Sequence, residues 1–304
     1  MKVLVTGASG LVGKKLLDGL INQGYSIHVL THSEYKIAEF EQLGIKSFYW
    51  NSDEQIIDLD CFNQVDTIIH LAGASISKRW TKSYKKQIID SRVNSTKLLY
   101  NLIKRLSNHQ IKHFICASAI GIYPDDLNKK YDEKYKGKTA FFLADVVEQW
   151  EQAASLFEEL GIKVSKLRTG LVLDTSSGAL PLLILPTKYY FGTSFGSGKQ
   201  IYSWIHVNDL VRMYIFILEN NLSGTYNAVA SKPVTCNTFM SILAKNLQTK
   251  IWLPAVPSWF LKLIMGDMAH LLIDGQYVVN DKIKENKFYF KFDDLDLAVK
   301  DCLK

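Results

Sequence analysis

The chain has 304 residues, 47% of them hydrophobic, with a formal net charge of +6 and no internal repeat. Such a chain can bury a substantial core as one large domain or two coupled ones, and it reads as an ordinary soluble globular protein. Its lysines are spread along the chain, as at Lys78, Lys82, Lys85 and Lys86, with no interleaved aromatic platform, so they read as a solvated helix face and no nucleic-acid partner is expected.

The first half alternates short β-type runs with helical patterns, the signature of a parallel sheet covered on both faces. Apolar runs at Val3 to Val5, Ile27 to Leu30, Ile45 to Trp50, Thr67 to Leu71, His113 to Ser118 and Val164 to Thr169 predict six or seven strands. Between the first two, Leu16, Leu17, Leu20 and Ile21 recur at helical spacing and Gly24 marks the stop. Before the sixth run, Val147, Trp150, Ala154 and Leu156 to Leu160 predict a helix ending at Gly161. Beyond Thr175 the pattern loosens. Val207 to Leu218 reads as a helix, Thr225 to Ala230 as a further strand, and the chain from Pro233 onward as mainly helical. The expected class is α/β: a Rossmann doubly wound parallel sheet, residues 1–175 plus about 204–230, with a smaller C-terminal substrate domain from about 176–203 and 231–304.

Cys61, Cys116, Cys236 and Cys302 show neither metal-type spacing nor a disulfide framework, which fits a reducing cytoplasm and no metal. Met1 to Thr6 is too short for a signal peptide. The apolar stretch Trp259 to Leu272 is interrupted by Lys262, Asp267 and His270 and falls short of the ~20 residues that span a bilayer, so no membrane partner is expected.

The most informative motif opens the chain. Lys2 to Gly13 joins a buried strand, glycines at positions 7, 10 and 13, and an amphipathic helix without interruption. Gly7 permits the tight turn, Gly10 lets the backbone approach a pyrophosphate, and Gly13 allows the helix to pack on the sheet. The pyrophosphate then meets free N–H groups at the positive helix end, which makes Ser9, Gly10, Leu11 and Val12 candidate cofactor-binding residues. NADP(H) is preferred over NAD because the end of the second strand offers Thr31, His32 and Ser33, with Lys36 close by, where an acid would repel a 2′-phosphate. Glu34, the nearest acid, lies beyond the strand end.

These residues resemble a known family. Thr6 to Gly13, His70 to Gly73, Lys78 to Trp80, Ser91 to Val93, Ala117 to Ala119, Trp150-Glu151, Leu167 to Gly170, Gly196 to Gly198 and Ser203 to His206 occur in the order seen in atypical extended short-chain dehydrogenases/reductases, in the branch called epimerase family proteins. The resemblance implies a Rossmann fold, NADP binding and a C-terminal substrate domain. It also implies that Leu71, Ala72 and Gly73 pass beside the adenosine and ribose, and that Ser118 matches a serine that bonds the substrate carbonyl or hydroxyl. The alternative for Ser118 is a strand-end cap.

The family's usual proton relay is missing. Active relatives carry Tyr-x-x-x-Lys on the helix after this serine, whereas Phe141 to Val147 places Phe142 or Leu143 at the tyrosine and Val146 or Val147 at the lysine. Arg92 replaces the supporting asparagine. General acid or base assistance is worth ~10²- to 10⁴-fold, so an enzyme lacking this pair needs another group. Tyr123 is one candidate donor. Arg92 is either a fixed positive charge for an anionic substrate or oxyanion, beside the cofactor, or half of a surface ion pair. Trp80 and Arg79 cover the nicotinamide side, with ordinary packing the alternative for Trp80; Trp204 and His206 line the substrate cleft, with a hydrogen-bonded core role the alternative for His206. Gly196 to Gly198 either approach a ligand phosphate or make a turn, and Asp209 reads as a helix-start residue. Two functions remain open: an NADP(H)-binding oxidoreductase or epimerase-like enzyme acting on a small carbonyl or hydroxyl substrate, or a non-catalytic NADP(H) sensor. A homodimer is the open choice of assembly.

Overall fold

The protein is described by a computed structural model covering residues 1–304 except Ser107, Lys138 and Ala140. Its first half is built from β1 (Lys2–Thr6), α1 (Leu11–Asn22), β2 (Ser26–Thr31), α2 (Glu34–Gln42), β3 (Lys46–Asn51), β4 (Thr67–His70), α3 (Lys82–Arg105), β5 (His113–Ala119), α4 (Phe142–Ser155) and β6 (Lys163–Thr169). The second half carries α5 (Leu180–Lys188), α6 (Val207–Glu219), β7 (Gly224–Ala228), α7 (Cys236–Asn246) and α8 (Ser258–Met265), with a last helix at Leu295–Cys302.

All of the expected apolar runs enter one sheet, because each is a short stretch buried on both faces. The strand order is β7-β6-β5-β4-β1-β2-β3, parallel throughout, and the two-residue strand Ile56–Ile57 adds antiparallel to the outer side of β3. Leu16, Leu17 and Leu20 of α1 pack with Leu210, Met213, Tyr214 and Ile217 of α6 over one face. Leu98, Leu99 and Ile103 of α3 meet Ala154 of α4 and Phe157 over the other. The strand order reverses at β1, whose neighbours are β2 and β4, so connections leave it in both directions and a crevice opens at the carboxyl ends of these strands.

A third apolar cluster, containing Leu180, Leu183, Trp204, Phe239, Leu243 and Leu295, forms the core of the C-terminal region. The C-terminal segment is not confined to it. Ile283 and Phe288 join the cluster under α1 and α6, and Gln276–Val278 pairs in parallel with Asp126–Tyr131, a strand whose exposed, lysine-bearing sequence gave no apolar signal.

Candidate functional site

A cavity of about 620 Å³ occupies the crevice. Gly7, Ala8, Ser9 and Gly10 line one wall, Leu71, Ala72 and Gly73 another, and Thr31 and His32 stand at its β2 end. The glycines have separable physical roles. Gly7 holds φ +70°, and a Cβ there would lie 2.6 Å from the Leu71 carbonyl carbon. A Cβ on Gly13 would come within 2.2 Å of the Gly7 carbonyl oxygen, so that glycine seats α1 beneath the loop. At Gly10 the nearest atom is 3.2 Å away, which leaves the space above it open. Gly10 also caps α1 without any side-chain hydrogen bond, so the first-turn amides remain available to an anion. Leu11, Val12 and Gly13 form that first turn and do not line the cavity.

The opposing wall is fixed by buried side chains. His70 Nδ1 lies 2.7 Å from Thr6 Oγ1 and its Nε2 3.2 Å from Ser95 Oγ, while the Ala72 amide donates to Thr6 Oγ1 at 3.2 Å. Burial, with a smaller contribution from the Arg92 charge, lowers the His70 pKa to about 3 and keeps the ring neutral.

Further lining residues were not legible in the sequence. Asn51 and Asp53 follow β3, and Tyr84, Gln87 and Ser91 project from α3. Their only signal was position, beyond a strand's carboxyl end or on the helix leaving it. Lys78 is exposed, as expected, and also lines the cavity, whereas Lys36 is ion-paired with Glu39 on α2 and does not line it.

The carboxyl end of β5 is closed. Ser118 Oγ donates to Glu151 Oε1 at 2.6 Å, and Arg168 grips both Glu151 oxygens through Nε and Nη2 at 2.8 Å each. Arg168 Nη1 also donates to Tyr123 Oη at 2.9 Å, and Tyr123 donates to Asn227 Oδ1 at 2.8 Å. Burial alone would push the Glu151 carboxyl up, but the hydrogen bonds and charge of Arg168 hold it below its usual value. Burial pushes Tyr123 up to about 12, against the opposing effect of Arg168. Tyr123 is thus pinned and does not line the cavity as a ready proton donor.

Arg92 has no carboxylate within ion-pair distance among the described residues, which corrects the surface ion-pair alternative. Its guanidinium lies 5.2 Å from the Trp150 ring centroid, donates to the Ile88 carbonyl and closes on Gly73, where a Cβ would be 3.1 Å from Cζ. Burial lowers its pKa to about 10, so it stays charged at neutral pH. The buried Trp150 Nε1 has no hydrogen-bond partner among the described residues.

At the positions expected for the tyrosine and lysine, Phe142 and Val146 join Trp80 and Ile88 in an apolar cluster, with the Trp80 and Phe142 rings 5.2 Å apart. Leu143 lies against the same cluster, and Val147 is buried. A Tyr-x-x-x-Lys spacing does occur at Tyr100 and Lys104, but late in α3, where Tyr100 donates to Glu159. Trp80 is itself buried, with its indole donating to the Ile76 carbonyl, so it is a wall and not an open contact surface. Beyond the wall a second recess, about 580 Å³, is lined by Lys85, Phe141, Phe142, Asp145, Asp267 and His270.

Trp204 and His206 are corrected from cleft residues to internal ones. Trp204 is wholly buried and donates to the Lys232 carbonyl. His206 caps α6 by accepting the Asn208 amide at 3.2 Å, and its ring stacks on Phe292 at 3.9 Å. Gly196 and Gly198 sit in a turn, both at positive φ. Asp209 does more than start a helix: its buried carboxylate accepts the Lys291 and Phe292 amides and pairs with Arg212.

Known proteins match this architecture. Residues 3–148 match the NAD dependent epimerase/dehydratase family, and residues 256–302 match a domain of unknown function, DUF1731. An epimerase family protein of Staphylococcus aureus is 37% identical over 304 residues, covering 99% of this chain and 98% of its own. One from Staphylococcus haemolyticus is 36% identical, with the same coverage. Among solved structures, a human epimerase family protein with NADPH superposes with a TM-score of 0.88 at 27% identity, covering 99% of both chains. A nucleoside-diphosphate sugar epimerase of Corynebacterium glutamicum gives 0.77 at 28%, covering 98% of this chain and 57% of its own. With that fold, that glycine cradle and relatives alike over their whole length, the chain belongs to the epimerase family, as an NAD(P)-binding Rossmann protein of the atypical extended short-chain dehydrogenase/reductase type.

Proposed function

We propose that the protein is an NADP(H)-binding enzyme, an oxidoreductase or epimerase-like catalyst of a small carbonyl or hydroxyl substrate. The observation that carries this reading is the crevice between β1, β2 and β4, where the absent side chains of Gly7 and Gly13 let the loop close on Leu71 and α1 seat beneath it, and that of Gly10 leaves room for a ligand at the backbone. The positive amino end of α1, which reaches the cavity at Ser9 and Gly10, faces the pyrophosphate, and Leu71 to Gly73 flank the adenosine and ribose. Thr31 and His32 accept the 2′-phosphate, a choice supported by the absence of an acid at the end of β2 and by the NADPH in the human relative. Asp53 lines the same cavity, and its charge is the feature that opposes this preference. When bound, the cofactor supplies a hydride donor or acceptor.

Arg92 is the fixed cation at the Gly73 edge, with the unpartnered Trp150 indole as a second donor. Ser118, directed by Glu151, is the polar group at the end of β5 nearest in role to the family's substrate serine. The residues of 176–203 and 231–304 supply the substrate-facing unit, with the recess beside Phe142 as its opening. A second reading, a non-catalytic NADP(H) sensor, is favoured by the sealing of Ser118 and Tyr123 within the protein.

Fluorescence titration with NADPH and NADH tests the cofactor assignment. Binding of NADPH in preference to NADH is expected, and Gly10→Val should weaken it by about 100-fold or more, the equivalent of ~2.7 kcal/mol, in a chain that stays folded. Unchanged affinity in that variant refutes the loop assignment. Oxidation of bound NADPH by aldehydes, ketones or quinones, reduced in Ser118→Ala, supports the enzyme; tight NADPH retention with no turnover across the panel supports the sensor.

A further inference from the structure

Exposed large apolar side chains are concentrated in two segments. Leu182, Leu185, Tyr189, Tyr190 and Phe191 come from α5 and the residues after it, and Trp252, Trp259, Phe260, Leu263 and Ile264 from α8 and the strand-like stretch before it. The two stretches lie side by side: Trp252 Nε1 donates to the Tyr190 carbonyl at 2.8 Å, Thr193 Oγ1 to the Pro254 carbonyl at 2.7 Å, and Phe195 bridges to Val256. Of α8, only Leu261 is buried, and Trp259 is 68% and Leu263 73% exposed. Isolated exposed hydrophobics need no explanation, but an aromatic-rich group of this kind marks a contact surface.

The charge pattern identifies what it contacts. No Asp or Glu occurs between Thr175 and Asn208 or between Asn220 and Gly266, although these stretches hold six lysines. Lys188, Lys250 and Lys262 are exposed beside the aromatic residues, and among the described residues none of them is within ion-pair distance of a carboxylate, although Lys262 acts on Asp274 at longer range. A second copy fits poorly. In a two-fold contact the patch meets itself, which sets lysine against lysine with no acid in either segment to relieve the repulsion. Tryptophan and tyrosine with flanking lysines suit the boundary between acyl chains and anionic headgroups.

We propose that α8 and the Leu182–Phe191 stretch dock the protein on the surface of an anionic phospholipid bilayer, with Trp259, Leu263 and Ile264 entering the headgroup boundary and the three lysines facing the phosphates. This is peripheral attachment; no helix among the described residues is long and apolar enough to cross a membrane. The sequence-based expectation of no membrane partner considered spanning segments alone. Attachment would also lie close to the site, since Met268 and Leu271, just beyond α8, pack on the Trp80 and Phe142 wall.

The full chain, mixed with vesicles of phosphatidylglycerol and phosphatidylcholine, should co-sediment with them and not with phosphatidylcholine alone, and should be released by high salt. Each of Lys188→Gln, Lys250→Gln and Lys262→Gln should weaken binding by roughly fivefold. The double variant Trp259→Glu, Leu263→Glu should abolish it while leaving NADPH affinity and the circular dichroism spectrum unchanged, which shows that the chain is folded. Failure of the parent protein to co-sediment with anionic vesicles overturns the proposal. So does equal binding by the double variant, or a dimer in sedimentation velocity that the double variant dissociates when no vesicle binding is seen. None of these outcomes bears on the cofactor assignment, which rests on other residues.

Discussion

The crevice at β1 and the end of β5 lie on the same sheet edge, yet they are opposite kinds of polar site. Around the first turn of α1 the polar groups are backbone amides that no side chain caps, while the Gly10 amide itself donates to the Gly7 carbonyl at 3.0 Å. Around Ser118 the polar groups are side chains, and Glu151, Arg168, Tyr123 and Asn227 satisfy one another in a closed network. The difference teaches that readiness to bind a dinucleotide is a property of the main chain, kept by what is absent at three positions. Readiness to move a proton would have to come from side chains, and here those at the customary place stabilise one another.

Breaking the closed network should have the largest effect. Arg168→Met leaves the Glu151 carboxylate buried without its ion-pair partner, and a loss of about 3–5 kcal/mol in urea unfolding is expected. The double variant Glu151→Met, Arg168→Met should recover much of that loss, because it removes the stranded charge; if it is no more stable than the single variant, the network is not acting as a paired unit. NADPH affinity should change little in either.

An intermediate effect concerns the wall between the two regions. His70 stays neutral in the native protein down to about pH 3, whereas an unfolded histidine titrates near 6.5. Stability tied to His70 is therefore whole above pH 6.5 and falls as the pH drops toward 3, by about 2 kcal/mol at pH 5. Chemical unfolding at pH 7 and 5 should show a smaller decrease in His70→Asn than in the parent; identical slopes would show that His70 is not the linked group.

The smallest expected effect sharpens the open side of the comparison. His32 is exposed at the β2 end of the cavity, so His32→Asp should leave folding intact. By repelling a 2′-phosphate it should lower NADPH affinity about tenfold, ~1.4 kcal/mol, with NADH affinity unchanged or raised. An equal loss for both dinucleotides would place the 2′-phosphate elsewhere.

Much of this was written locally. Alternating apolar runs marked all seven parallel strands, and Gly7, Gly10 and Gly13 marked the crevice, because hydrophobic period and glycine placement act over a few residues. Trp204 and His206 were left between two readings for the converse reason. Their motif is compact in sequence, but the partners that bury them, Lys232 and Phe292, are distant along the chain. Lys36 was misjudged at short range, since a single turn of helix brings Glu39 to its ammonium.

By itself, then, the order of residues determined a Rossmann sheet with a glycine-lined first turn, since strand burial, helix phase and the clearance of a missing Cβ are set by neighbours. Only the tertiary structure decided which polar side chains are available and which are sealed. The partners of Ser118 and Tyr123, Glu151 and Asn227, lie 33 and 104 residues away, and hydrogen bonds that saturate a buried group depend on what the fold brings within about 3 Å.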